Sequence, residues 1–347
     1  METNIFLGIL LIASGAFTAG SFAIPFGMVK GWKWETYWLI YCFGAYTIFP
    51  LIACLIFAPS FADIYRQVPG NVLVKVFLLG AVYGVGNLSF GLSLRFLGIS
   101  LGYAMSLGLM LAIGTLIPPV LDGRLNIMIE GSGGSLLIAG VIIACIGIAF
   151  SGWAGYLKDK SISDAEKKVA ISEFSFIKGI MAAFLVGITG SAMSLGFEQA
   201  IPINEAAAAS GIDPLFTSMP VMLLLLTGTL ATTIVYCIYL GVKNKSLTDY
   251  FRADKKGVLA INYIFSLMAG LLWFGQFILF GMGKSKMGPF TFTSWGILMG
   301  LTIVFATLWG FYRREWKGAS VSIILFMIFS LMIIIISSYI IGISGSV

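Results

Sequence analysis

The chain has 347 residues, 59% of them hydrophobic and only 10% charged. A soluble domain carries about 25% charged residues, so a soluble enzyme or binding module is excluded. The excess of 21 Lys and Arg over 15 Asp and Glu is scattered over short loops, where it reads as membrane topology and not as a nucleic-acid surface.

Apolar stretches recur at 5–28, 36–57, 73–94, 98–121, 135–155, 177–200, 217–241, 257–282, 291–311 and 320–342. Each is long enough to cross a bilayer. Together they predict an all-α polytopic membrane protein of ten transmembrane helices, with residues 1–347 forming one transporter domain. The first stretch lacks a basic n-region, carries Glu2 and is too long for an h-region, so it reads as a span and not as a cleaved signal peptide.

Span 1 offers Thr18 and Ser21 and has no carboxylate between Ile5 and Met28, which argues against export of cationic drugs through a buried glutamate. Glu35 precedes span 2, where capping of that helix and a gating or proton-accepting role are both open. Span 3 carries Tyr83 and Asn87 amid Gly80, Gly84 and Gly86, and glycines of this kind let membrane helices approach closely. Residues 156–176 form a polar connector that separates spans 1–5 (1–155) from spans 6–10 (177–347). Glu198 lies inside an apolar stretch, ~30 Å along span 6 at 1.5 Å per residue, and is either a coupling carboxylate or an interfacial one. Asn204 and Glu205 precede Ala206–Ala209, which predicts a short helix with the acid at its N-terminus. Span 8 carries Trp273 and Gln276, and span 9 carries Thr291, Thr293, Ser294 and Trp295.

Loops after odd-numbered spans hold 16 of the 21 basic residues, among them Lys30, Lys33, Arg95, Lys158, Lys243 and Arg313. The positive-inside rule places these loops in the cytoplasm and both termini outside. Five spans per half force the second half upside down relative to the first. Gly20, Ser21 and Glu35 recur as Gly190, Ser191 and Glu205 at a constant offset, as an inverted repeat requires. Transporters of that architecture bind substrate near the midplane at the repeat interface.

No Lys or Arg lies deep in a span, which disfavours an anionic substrate. Neutral amides, hydroxyls and aromatic rings remain. Amides pair with sugar hydroxyls as donor and acceptor, and aromatic faces pack against apolar ring faces; the same residues also serve as helix–helix hydrogen bonds or interfacial anchors. With histidine absent, a proton relay must use carboxylates. Cys42, Cys54, Cys145 and Cys237 lie inside spans without paired spacing, so they read as packing residues with no metal and no disulfide.

Several stretches run in order along the chain: Pro25-Phe26 with Lys33–Thr36 and Trp38; Gly84–Asn87 with Gly91; Arg95–Gly98 with Ser100 and Gly102; Gly114–Leu116; Glu205–Ala209 with Gly211–Leu215; Gly270–Trp273 with Gln276-Phe277; Ser294-Trp295; and the Arg314–Lys317 segment. Together they resemble the bacterial L-rhamnose–proton symporter family. The chain departs from the family at Glu198, Ile201 and Asn204, where an amide, a basic residue and a histidine are expected. The resemblance implies two inverted five-helix repeats of the drug/metabolite transporter superfamily, in the bacterial inner membrane. It implies import of L-rhamnose or a closely related neutral (6-deoxy)hexose by proton symport and alternating access, with both termini periplasmic.

On this reading the sugar contacts are Asn87, Gln276, Trp273, Tyr83, Ser21 and Trp295, and the proton-coupling or gating candidates are Glu35, Glu205 and Glu198. No cofactor is expected; the proton gradient supplies the drive, and sodium coupling stays open. The partners are a small neutral sugar, protons and the lipid bilayer, with no nucleic acid. An uncoupled or exporting carrier of the same superfamily is the alternative. An enzyme is disfavoured because the chain offers no histidine, acidic cluster or phosphate loop.

Overall fold

The computed structural model describes residues 4–121, 133–161, 173–252, 257–288 and 294–344. Among them every regular element is a helix or helical turn, as backbone surrounded by lipid requires unless it closes a barrel. The helices are α1 (Ile5–Ser21), α2 (Trp34–Phe43), α3 (Phe49–Phe57), α4 (Phe61–Gln67), α5 (Gly70–Leu97), α6 (Ile99–Leu121), α7 (Gly134–Ser161), α8 (Phe176–Gln199), α9 (Ile201–Ala209), α10 (Met219–Lys243), α11 (Val258–Lys286), α12 (Ser294–Tyr312) and α13 (Val321–Ser344). Among the described residues nine stretches are long and apolar enough to cross a membrane. The remaining expected span coincides with α6, whose described apolar part is Ile99–Ile113. The chain is a multi-pass helical membrane protein, and side chains such as Phe6, Ile177 and Val235 stand exposed for lipid to cover.

Helix ends extend past the apolar stretches where the sequence turns polar without a helix breaker. Thus α11 runs on to Lys286, and α7 takes Tyr156–Ser161 from the expected connector. Residues 162–172 of that connector, together with Thr291 and Thr293, lie outside the described residues.

The chain divides into two compact units, and each draws on both halves of the sequence. Unit 1 comprises residues 1–20, 86–191 and 282–347. Its core joins Leu101, Met105 and Leu109 of α6, Ala144 and Ile148 of α7, Ile303 of α12, and Leu331 and Ile334 of α13. Gly140 and Gly147, two helical turns apart, turn the same edge of α7 to α13. A Cβ at Gly140 would stand 2.6 Å from Ile341, and one at Gly147 2.8 Å from Ile334. In lipid such close packing, not water exclusion, holds helices together.

Unit 2 comprises residues 21–85 and 192–281. Here α5 and α10 touch backbone to backbone: a Cβ at Gly80 would collide with the Leu225 carbonyl, and one at Gly228 with that of Phe77. Thr229 Oγ1 donates to the Gly80 carbonyl at 2.9 Å and Thr232 Oγ1 to that of Ala81 at 2.7 Å. Gly80 and Gly84 are therefore packing glycines. Between α2 and α3 lies a π turn, Gly44–Ile48. Pro50 explains it: proline has no N–H to give the fourth carbonyl back, that of Tyr46, and its ring crowds that carbonyl. The wider turn accommodates both.

In unit 1, α12 ends in a turn where Arg314 takes φ 60° and Glu315 N–H returns to the Gly310 carbonyl at 3.0 Å. This puts Glu315, 4% exposed, at the start of α6, where it accepts from Ile99 N–H at 2.9 Å and Ser100 N–H at 3.1 Å. The buried Lys158 lies nearby, its Nζ 4.8 Å from the Trp316 ring. Burial raises the Glu315 carboxyl above the usual carboxylate range, against the opposing pull of the two N–H groups, Lys158 and Arg313.

A raised folded pKa means that the protonated form is favoured in the fold. The associated stability is complete below the unfolded value of about 4.3 and is lost as pH rises through the folded one. Glu315→Gln does not titrate, so its melting temperature should climb relative to wild type as pH rises above about 4, until the wild-type carboxyl has ionised. Glu315→Ala leaves helix N–H groups without an acceptor and should cost about 1–3 kcal/mol throughout that range. A wild-type-to-Gln difference that ignores pH contradicts the assignment.

Candidate functional site

Unit 2 holds most of the residues singled out by the sequence, beginning with Glu35. This residue belongs to the first turn of α2 and is 1% exposed. Its Oε1 accepts from Ser246 Oγ at 2.6 Å and Asn244 Nδ2 at 2.9 Å. Both donors come from the turn that ends α10, where Ser246 N–H bonds back to the Gly241 carbonyl at 2.9 Å. That closing pattern places a left-handed residue just before Ser246, usually glycine; here it is Lys245, at φ 54°. A strained lysine thus fixes the donors of a buried acid.

The approach to α2 is pinned as well. The Asn262 side chain donates to the Lys30 carbonyl at 2.8 Å and accepts from Lys30 N–H at 2.9 Å. Asp249 Oδ2 accepts from Thr36 Oγ1 and Lys33 N–H, both at 3.3 Å.

One turn beyond Glu35, Trp38 begins an aromatic cluster. Trp34 stacks on Trp38 at 5.0 Å, Phe22 on Tyr41 at 5.2 Å, and Trp38 meets Tyr41 at 4.9 Å. The π turn presents Tyr46, whose ring packs edge-on against Trp273 of α11 at 5.2 Å. Tyr41 and Tyr83 lie within electrostatic reach of the Tyr46 hydroxyl. Gly270 makes the approach possible, since a Cβ there would stand 2.8 Å from both Tyr41 O and Ala45 N. Gln276 is 7% exposed and donates to the Trp273 carbonyl at 2.8 Å. Trp273, Tyr83, Gln276 and Ser21 are all buried in this unit.

Asn87 and Trp295 belong to unit 1. Asn87 is buried, and its Oδ1 has no hydrogen-bond partner. Trp295 is 44% exposed at the start of α12. Glu198, half-buried, is the penultimate residue of α8. Glu205 is exposed in the middle of α9 and does not stand at that helix's start. The expected capping fails there because Pro202, pre-set for a first turn, starts the helix at Ile201.

Sequence reasoning missed Trp38, Tyr41 and Tyr46 as site residues, although the spacing of Glu35, Trp38 and Tyr41 already puts them on adjoining positions of one helix face. It also missed Asn244 and Ser246, which reach Glu35 across 209 and 211 residues of chain. Among the described residues the buried charged side chains are Glu35, Lys158 and Glu315, so unit 2 has a buried acid and no buried base. Such a surface suits an uncharged ligand with hydroxyls on one side and an apolar face on another.

A family model described as L-rhamnose-proton symport protein matches residues 1–346. A protein named L-rhamnose-proton symporter from Yersinia pestis (strain Pestoides F) is 32% identical over 345 residues, covering 99% of this chain and 98% of the relative. One of the same name from Cronobacter sakazakii (strain ATCC BAA-894) is 32% identical over 346 residues, with the same coverage. No solved structure matches.

The turn around Lys245 makes its own prediction. Lys245→Gly relieves the left-handed strain and should stabilise the protein by about 1 kcal/mol. Ser246→Ala removes a donor from a buried carboxylate and should cost about 1–3 kcal/mol. Thermal melts in one detergent distinguish them, and a destabilised Lys245→Gly variant overturns the account of this turn.

Proposed function

The chain belongs to the L-rhamnose-proton symport protein family, and we propose that it imports L-rhamnose, or a closely related neutral (6-deoxy)hexose, together with protons. The observation that carries this reading is the pairing, within unit 2, of one buried carboxylate with a buried aromatic and amide surface. Glu35 is the proton-coupling residue. Glu205 is exposed and Glu198 half-buried, so neither pays the desolvation cost that marks a buried ionisable group as functional.

The sugar's apolar face rests on the aromatic side chains around Trp273, and Gln276 serves its hydroxyls as donor and acceptor. The Gln276 amide now bonds only within its own helix turn, an interaction of modest net worth that a sugar hydroxyl replaces at little loss. The distribution of basic residues favours an inner-membrane orientation with both termini periplasmic. Two inverted five-helix repeats then exchange access to opposite sides.

Proteoliposomes with an imposed pH gradient test the reading. L-rhamnose should accumulate against its gradient and acidify the lumen as it enters. Glu35→Gln should lower gradient-driven accumulation more than about tenfold, on the order of the 1.4 kcal/mol or more that a lost coupling step represents, while leaving sugar exchange intact. Exchange without proton movement in the wild type favours an uncoupled carrier. Full accumulation by Glu35→Gln removes Glu35 from the coupling role.

A further inference from the structure

Trp38 carries an observation that its packing does not explain. Its side chain is 1% exposed, and its indole Nε1 is buried without a hydrogen-bond partner. Buried indole N–H groups ordinarily find an acceptor, and leaving one unmade carries the full desolvation penalty. The tryptophan could have been a phenylalanine if ring packing were all the position required.

The surroundings indicate what the N–H serves. Trp38 lies between Trp34, stacked at 5.0 Å, and Tyr41 at 4.9 Å, with Phe26 at 5.8 Å. From Tyr41 the aromatic contacts continue through Tyr46 to Trp273, all within unit 2. Tyr46 stands on the π turn, and such turns recur at functional sites. Glu35 is three residues before Trp38, and residues so spaced share a helix face.

We propose that Trp38 is a substrate-contacting residue: its indole N–H donates to a hydroxyl of the transported sugar while the neighbouring rings cover the sugar's apolar face. The inference rests on the reading of this chain as a sugar symporter and names a specific contact within it. It makes α2 the element shared by both cargoes, with the proton carried at Glu35 and the sugar met one turn further on. The neutral donor suits a hydroxyl of an uncharged polyol.

The experiment uses full-length protein in detergent, with L-rhamnose binding followed by calorimetry and ligand-free melting followed separately. Trp38→Phe keeps a ring and deletes only the donor edge. It should weaken L-rhamnose binding about tenfold, the worth of one hydrogen bond to a buried donor, while the ligand-free melting temperature stays level or rises because an unpartnered polar atom has gone. Unchanged affinity overturns the proposal and points to a buried water as the acceptor. Affinity and ligand-free stability falling together also overturns it, in favour of a packing role. If wild-type protein ignores L-rhamnose, the same pair of proteins is compared on other neutral 6-deoxyhexoses. Binding of none of them defeats the symporter reading itself, an outcome distinct from wild-type binding that Trp38→Phe leaves untouched.

Discussion

Much of this structure answers to one constraint: polar groups buried among lipid-embedded helices have no water to turn to, so leaving one unmet by the chain is costly. Two helix ends show the solution. At the end of α12 the backbone reverses through Arg314 and delivers Glu315 to the free N–H groups of α6. At the end of α10 it reverses through Lys245 and delivers Asn244 and Ser246 to Glu35. Both turns accept a left-handed cationic residue where glycine costs less. The strain is tolerable because each turn settles the hydrogen bonding of a buried carboxylate.

The same constraint shapes α2 and α3. Pro50 would break a membrane-embedded helix by withholding an N–H and crowding the preceding turn; the π turn over Gly44–Ile48 absorbs that interruption. Widening the helix there presents Tyr46 to Trp273, and Gly270 lets α11 come close enough for the two rings to meet. An aromatic surface in unit 2 thus follows from Pro50 and Gly270 as much as from the aromatic residues themselves.

Much of this was legible in the sequence. Apolar length alone located the spans, because ~20 residues are needed to cross the hydrocarbon core whatever packs around them. The burial of Trp273, Gln276, Tyr83 and Asn87 follows from polar or bulky residues placed inside apolar stretches; Glu35 precedes its stretch, and its burial comes from the turn after α10 packing over it. Glu205 misled because an acid before four alanines looks like a helix start, whereas Pro202 had already begun the helix. Glu315 and Lys158 escaped notice because both sit at loop boundaries where exposure is the ordinary expectation. Nothing local in the sequence announces that Glu315 meets Ile99 across 216 residues. Long-range hydrogen bonds of this kind are products of packing, and no periodicity encodes them.

The two buried carboxylates differ in what their partners permit. Backbone N–H groups only donate, so the acceptors that Ile99 and Ser100 find in Glu315 diminish when it takes a proton; Lys158 and Arg313 pull the same way, towards the charged form. That arrangement fixes a helix. Glu35 instead meets a serine hydroxyl and an asparagine amide. A hydroxyl rotates from donor to acceptor, and an amide offers both functions, so the same turn can serve the carboxylate and the carboxylic acid. A group that must gain and lose a proton without unfolding its surroundings needs partners of that reversible kind. The chemistry of its neighbours, more than the depth of its burial, separates Glu35, proposed here as the proton carrier, from Glu315 as a cap.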